Sequence, residues 1–408
     1  MPARRTDLRA LTAAVAVLVL VLAPTRVEAA EAHWVGAWAA SPQSNGPRIT
    51  NETQRLFVHT STGGSKLRLR FSNRYGTDRL TLRNVTVALP MSPLRPGVQA
   101  KTLRPVRFAA GDAVTIPAGQ ERRSLPVDFA VPADAWLAVS FHVPGSHATS
   151  TQHGAAWGLN WHTVANGGDR ADDWSGDGFV STASWAYLTG VDVVAPPRMS
   201  TVVALGDSIT DSMTSVPETN SRWPDLLNRR LMSVPGGQRF SVVNAGINGN
   251  LVTAQRGQEP ANGEAAIRRM YWDVFDLPNV STLILYEGVN DIIRGVPAGT
   301  IIEGYKRILA ATHMRGIRVL ISTMTPSGAS AVDNPSNAAS VGTRNELNRW
   351  IDRNAARFDG VIRFSETVQN PLDPAVWAAR YSSGDQTHPN PNGLRAMADS
   401  IPLSLFSR

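Results

Sequence analysis

The sequence predicts an α/β region with a parallel sheet, residues 196–408, preceded by an antiparallel β-sandwich of jelly-roll type over residues 30–195. Three observations carry this reading. Apolar and polar residues alternate with period two through most of the first half, a paired proline marks a junction, and short apolar strands then alternate with helical stretches. A chain of 408 residues is long enough to bury two separate cores.

The first 29 residues read as an export signal. Arg4, Arg5 and Arg9 precede an apolar run from Leu11 to Ala23, and small residues follow. Val27 and Ala29 suit cleavage before Ala30, whereas Ala30 and Ala32 suit cleavage before His33, and both sites remain open. The run is shorter than the roughly 20 apolar residues of a membrane span, which favours removal over anchoring. An extracellular protein with no membrane insertion after processing is expected.

From His33 to Val194 half-buried strands are legible in Leu67-Arg68-Leu69-Arg70-Phe71, Val85-Thr86-Val87 and Trp136-Leu137-Ala138-Val139-Ser140-Phe141. Turn residues such as Thr62-Gly63-Gly64 and Pro117-Ala118-Gly119 separate them, and no long amphipathic helix interrupts the series. Ala195-Pro196-Pro197-Arg198 then ends the sandwich, because consecutive prolines cannot continue a ladder. Beyond it, strands are expected at Thr201–Leu205, Phe240–Val243, Thr282–Tyr286, Arg318–Ser322 and Val361–Phe364. Helices are expected near Pro224–Met232, Thr300–Met314, Asn345–Phe358 and Pro391–Leu403. Repeated strand–helix alternation implies a parallel sheet covered on both faces.

Composition excludes several classes of function. With no cysteine, disulfides, thiol catalysis and cysteine-held zinc are all ruled out. The formal charge of +7 falls to +5 once residues 1–29 are removed, since four arginines and two acidic residues leave. The basic residues are scattered, so nucleic acid is not an expected partner. Asp173-Trp174-Ser175-Gly176-Asp177-Gly178 opens like a calcium loop, but Ser184 stands where the closing glutamate belongs, and the segment reads as a polar turn.

Four short motifs fall after strands or before the last helix. Gly206-Asp207-Ser208-Ile209 follows the first strand of the α/β region, where open parallel sheets place ligands. Asp385-Gln386-Thr387-His388-Pro389 brings a carboxylate and an imidazole on one loop. A serine hydroxyl becomes nucleophilic when an imidazole takes its proton and a carboxylate orients that imidazole. Gly246, in Asn244-Ala245-Gly246-Ile247-Asn248-Gly249, and Asn290, in Gly288-Val289-Asn290-Asp291, follow the next two strands. With the N–H of Ser208 they supply three candidate donors for an oxyanion. Asp207 and Asp291 are read as loop-holding residues.

In these four blocks the chain resembles the SGNH or GDSL hydrolases, with Ser208, Gly246, Asn290 and His388 in the positions of Ser, Gly, Asn and His, and Ile209 in place of leucine. The resemblance spans Thr201 to Leu405. It implies a flavodoxin-like three-layer α/β/α fold, no metal or organic cofactor, and hydrolysis of acyl esters through an acyl-enzyme. The opening His33-Trp34-Val35-Gly36-Ala37-Trp38-Ala39-Ala40-Ser41-Pro42 is similar, more loosely, to that of secreted two-domain members described as xylan-esterase-like. Short-chain or acetyl esters on carbohydrate are therefore the expected substrates. The competing readings are a broad carboxylesterase or lipase, an acyltransferase, and a secreted carbohydrate-binding protein with an inactive hydrolase region. Trp34, Trp38, Trp157, Trp161 and Trp174 are the candidate sugar-stacking residues, and the oligomeric state is left open.

Overall fold

Alternation in the first half produces two antiparallel sheets. One runs in the order Trp34–Ala39, Leu188–Val194, Gly64–Ser72, Glu121–Arg123, with Val127–Val131 also on Gly64–Ser72. The other is centred on the long pair Ile49–Thr60 and Ala135–His147, flanked by Asn160–Thr163 and Leu80–Ala88. Inward residues of both, including Leu67, Leu69, Phe71, Val191 and Val193 from the first and Leu56, Val58, Leu137, Val139 and Phe141 from the second, share one buried core. This is a β-sandwich: each sheet buries one face against the other. The computed structural model describes residues 1–2, 33–235, 238–253, 262–327 and 337–407, so the expected export signal, apart from its first two residues, lies outside the described residues.

The second half forms a five-stranded parallel sheet. Its strands are β1 (Ser200–Gly206), β2 (Phe240–Gly246), β3 (Val280–Tyr286), β4 (Arg318–Ser322) and β5 (Gly360–Ile362), in the order β2-β1-β3-β4-β5. That is the flavodoxin-like order. Val202, Val203, Ala204 and Leu205 of β1 are all fully buried, as expected of a strand with both faces covered by helices. The long helices are α1 (Trp223–Met232), α2 (Ala298–His313), α3 (Asn337–Arg353) and α4 (Pro391–Ser400). Neighbours of β1 lie on both sides, so the loops after β1 and β3 diverge and leave a crevice at the carboxyl edge.

Several boundaries differ from the sequence reading: β2 runs three residues past Val243 to Gly246, α4 ends at Ser400 before Leu403, and two further shifts have a clear physical cause. β5 stops at Ile362, and Phe364 starts a short helix to Val368 instead of ending the strand. Phe364 is fully buried all the same, against Trp223 and Tyr286, so its apolarity reports burial and not conformation. Helix α3 begins at Asn337, eight positions before the expected start, because its first turns lack the apolar periodicity that marks Leu347 and Ile351 further on.

The two regions have separate cores, yet His33–Arg408 packs as one unit. Trp34–Ala39 lies against β2 and is stitched to the sheet through its own backbone. The Gly36 N–H donates to Thr201 Oγ1 at 2.9 Å, and Ser241 Oγ donates to the Gly36 carbonyl at 2.6 Å. Arg70 donates to the Trp272 carbonyl, Arg229 pairs with Asp134, and the Arg74 guanidinium lies 3.8 Å from the Trp272 ring centre. Polar and charged groups from both halves thus close the seam.

Candidate active site

The chain leaves β1 through Gly206, where no side chain fits. A Cβ there would lie 2.1 Å from Thr210 Oγ1 and 2.3 Å from the Tyr286 carbonyl. Asp207 then caps a four-residue helical turn, Ser208–Asp211, its Oδ1 accepting the Ile209 N–H at 2.9 Å. Ser212 closes the turn in the left-handed region at φ 61°. The turn is held from outside by Asn244, whose amide donates to the Thr210 carbonyl at 2.7 Å. Ser208 is therefore fixed at the crevice by its neighbours on three sides.

The loop before α4 brings the other two residues. Ser208 Oγ lies 2.9 Å from His388 Nε2, and His388 Nδ1 lies 2.6 Å from Asp385 Oδ2. Gln386, at φ 58°, makes the tight turn that lets Asp385 face the ring three residues on. Both carboxylate oxygens are used, for Oδ1 accepts the N–H groups of His388 at 2.8 Å and Thr387 at 2.9 Å. Burial opposes the charge of Asp385, but these donors and the His388 ring outweigh it and hold its pKa down to about 2. A carboxylate ionised at every working pH faces Nδ1, which keeps the proton there and leaves Nε2 open toward the serine hydroxyl.

Of the three expected oxyanion donors, two keep an N–H free among the described residues and one does not. The Ser208 N–H has no acceptor among the described residues. The Asn290 side-chain amide donates one hydrogen to the Asn250 carbonyl at 3.0 Å and retains another. The Gly246 N–H, in contrast, already donates to Asn244 Oδ1 at 2.8 Å. Gly246 is a glycine for a steric reason: a Cβ would lie 2.3 Å from the Asp211 backbone nitrogen. Its role is close packing under the Ser208–Asp211 turn, which corrects the donor assignment. The neighbouring Gly249, at φ 70°, has an N–H without an acceptor among the described residues, and it adjoins Asn250, which holds Asn290.

Residues 204–396 match the family model of the GDSL-like lipase/acylhydrolase family. They are a GDSL-like lipase/acylhydrolase domain. The chain that carries it is a serine ester hydrolase, and its substrates are esters. Three solved structures are similar to this chain over about half of its length. A GDSL-like lipase from Bacteroides thetaiotaomicron VPI-5482 is 16% identical, covering 52% of this chain and 90% of its own, with a TM-score of 0.40. The aryl esterase of M. smegmatis is 14% identical over 51% of this chain and 99% of its own, TM-score 0.41. A member of the lipolytic protein G-D-S-L family from Veillonella parvula DSM 2008 is 21% identical over 51% and 98%, TM-score 0.36. Among curated proteins no match is found.

Beneath the crevice the GDSL-like domain buries a cluster of charge that sequence motifs did not reveal. Arg269, fully buried, donates to the carbonyl of Gly206, which ends β1, at 2.8 Å, to that of Ala245, one residue before the end of β2, at 2.6 Å, and to Asn250 Oδ1 at 2.8 Å. It also pairs with Asp273 at 2.9 Å and Glu287 at 3.2 Å. One guanidinium thus ties the carboxyl ends of β1 and β2 to the loop after β3. Asp291 accepts the Val252 N–H at 2.8 Å and the Thr253 hydroxyl at 3.0 Å, and so holds the loop beside Asn290. Burial pushes Asp291 up to about 6 and Glu287 well above the usual carboxylate range.

Burial likewise raises Asp207 to about 7, and its Oδ2 has no hydrogen-bond partner. Between the ordinary value of 3.8 and about 7 the folded state holds a proton that the unfolded chain releases, so stability falls as pH rises across that window. Asp207→Asn, neutral at all pH and still able to cap Ile209, is expected to gain on the wild type as pH rises from 5 to 8. The gain should be on the order of a few kcal/mol, and denaturant titrations at both pH values check it; a pH-independent difference would contradict this account.

Of the candidate tryptophans, Trp38 and Trp161 are buried, Trp34 and Trp157 are half-buried, and only Trp174 is exposed, at 53%. Four of them are thus at least partly committed to packing. The Asp173 carboxylate is occupied by Arg170 and by the N–H and hydroxyl of Ser175, in keeping with a polar turn. Among the described residues no helix is long and apolar enough to cross a membrane.

Proposed function

We propose that this serine ester hydrolase uses Ser208 as nucleophile, His388 as general base and Asp385 as the orienting carboxylate. The observation that carries the reading is the unbroken line Ser208 Oγ, His388 Nε2, His388 Nδ1, Asp385 Oδ2, with separations of 2.9 and 2.6 Å. His388 takes the serine proton as Oγ attacks the ester carbonyl. The Ser208 N–H, the Gly249 N–H and the Asn290 amide receive the oxyanion, collapse expels the alcohol with the proton from His388, and water activated by His388 then releases the acid.

Short-chain or acetyl esters borne on carbohydrate are the proposed substrates, and the protein is proposed to act outside the cell. Support comes from the leader-like first 29 residues and from the xylan-esterase-like opening of residues 33–42. Release of acetate from acetylated xylan, compared with nitrophenyl esters of rising chain length, separates this from a broad carboxylesterase or lipase.

Fluorophosphonate labelling followed by peptide mapping tests the nucleophile. A single adduct on Ser208 is expected, and an adduct on any other serine would sink the assignment.

A further inference from the structure

We infer that His153, a residue of the β-sandwich, is a positioning residue for the nucleophile turn, acting through Asp211 on Ser208. The inference rests on Ser208 being the nucleophile. His153 ends the strand Ser150–His153, outside the GDSL-like domain and 58 positions before Asp211. Its Nε2 lies 3.1 Å from Asp211 Oδ1, and its Nδ1 lies 2.9 Å from the Ser41 carbonyl. His153 is 3% exposed and Asp211 1%.

The geometry leaves this contact little slack. A carbonyl oxygen only accepts, so Nδ1 carries a hydrogen, and Nε2 then meets a carboxylate across which a proton must be shared. Asp211 Oδ2 has no hydrogen-bond partner, which makes His153 the one anchor of that side chain among the described residues. The ring cannot drift, since Trp185 lies against it at 5.6 Å between centres and is itself fixed through Nε1 to the Phe57 carbonyl at 2.8 Å. Ser41 joins the same arrangement from its other end, its hydroxyl 3.3 Å from Arg269 Nη1. Both sandwich residues therefore reach the floor of the site, one at the turn and one at the guanidinium that gathers the strand ends.

Asp211 ends the four-residue turn that Ser208 begins. Without His153 its carboxylate is buried and unpaired, a state costly enough to force the turn toward solvent. Catalysis tolerates a displacement of only about half an ångström at the reacting atom. The loss should fall on the chemical step, because the ester meets Ser208 and the oxyanion donors but not His153.

The test compares His153→Ala, His153→Gln, Asp211→Asn and the double variant His153→Ala/Asp211→Asn with wild type and with Ser208→Ala. Each is assayed for turnover of nitrophenyl acetate and for its rate of fluorophosphonate labelling. The expected result is a 10- to 100-fold fall in kcat for His153→Ala, with KM within twofold and labelling slowed in parallel. His153→Gln, whose amide can reach Asp211, should recover part of the loss, and the double variant should fall no further than the worse single one. A lowered melting temperature with unchanged kcat, or losses that multiply in the double variant, would overturn the proposal. Should His153→Ala fail to fold, His153→Gln and Asp211→Asn decide by the same criteria. Full turnover by Ser208→Ala would overturn both this inference and the nucleophile assignment, whereas inactive Ser208→Ala beside fully active His153 variants would overturn this inference alone.

Discussion

Ser208→Ala is expected to lower kcat by about 10⁴- to 10⁶-fold with little change in KM or melting temperature. The loss is large because, in the proposed mechanism, Oγ is the atom that bonds to the carbonyl carbon. Without it no acyl-enzyme forms, and only the oxyanion donors remain to favour water attack. The fold should not notice, since the hydroxyl is a small group whose side-chain contact is His388 Nε2 at 2.9 Å. Stopped-flow measurement on a nitrophenyl ester checks this through loss of the burst along with the steady state. His388→Ala should cost about as much, and the double variant no more than either alone, because the residues act as a unit. An activity loss of tenfold or less for Ser208→Ala would mean that another nucleophile serves the reaction.

Asp385→Asn is expected to reduce kcat by roughly 10³- to 10⁴-fold while preserving the loop. Asparagine keeps one oxygen, which can still accept the N–H groups of His388 and Thr387 now bound by Oδ1. Its amide hydrogens then point at His388 Nδ1, where a carboxylate oxygen stands 2.6 Å away in the wild type. A donor there stabilises the tautomer with the proton on Nε2, and that ring cannot accept the serine proton. The fluorophosphonate labelling rate should fall with kcat, and a labelling rate near wild type would show that Asp385 does not set the tautomer.

Much of the architecture was legible because burial in a parallel sheet demands continuous apolar runs. The run Arg318–Ser322 coincides with β4, and β1 extends the expected Thr201–Leu205 by one residue at each end. Legibility failed where apolar character and conformation part company, as at Phe364, and where a helix begins without an apolar stripe, as at Asn337. Ser208, His388 and Asp385 could be singled out because their chemistry requires those residue types on loops at strand ends. Gly246 could not be told from Gly249 by sequence, since what separates them is a hydrogen bond from Gly246 to Asn244 and the nearness of the Asp211 backbone. Arg269 and His153 carry no local motif, and their partners Gly206 and Asp211 lie 63 and 58 positions away.

By itself the sequence determined the alternation of elements, the order of the strands' loops along the chain and the residue types able to perform acyl transfer. Those properties are written in local periodicity and in the intrinsic chemistry of side chains. Only the tertiary structure decided which N–H groups stay free for an oxyanion, which buried carboxylates are pushed toward neutrality, and that Ser41 and His153 of the sandwich reach beneath Ser208. Hydrogen-bond occupancy and desolvation depend on distances through space, and those distances exist only once remote segments have packed together.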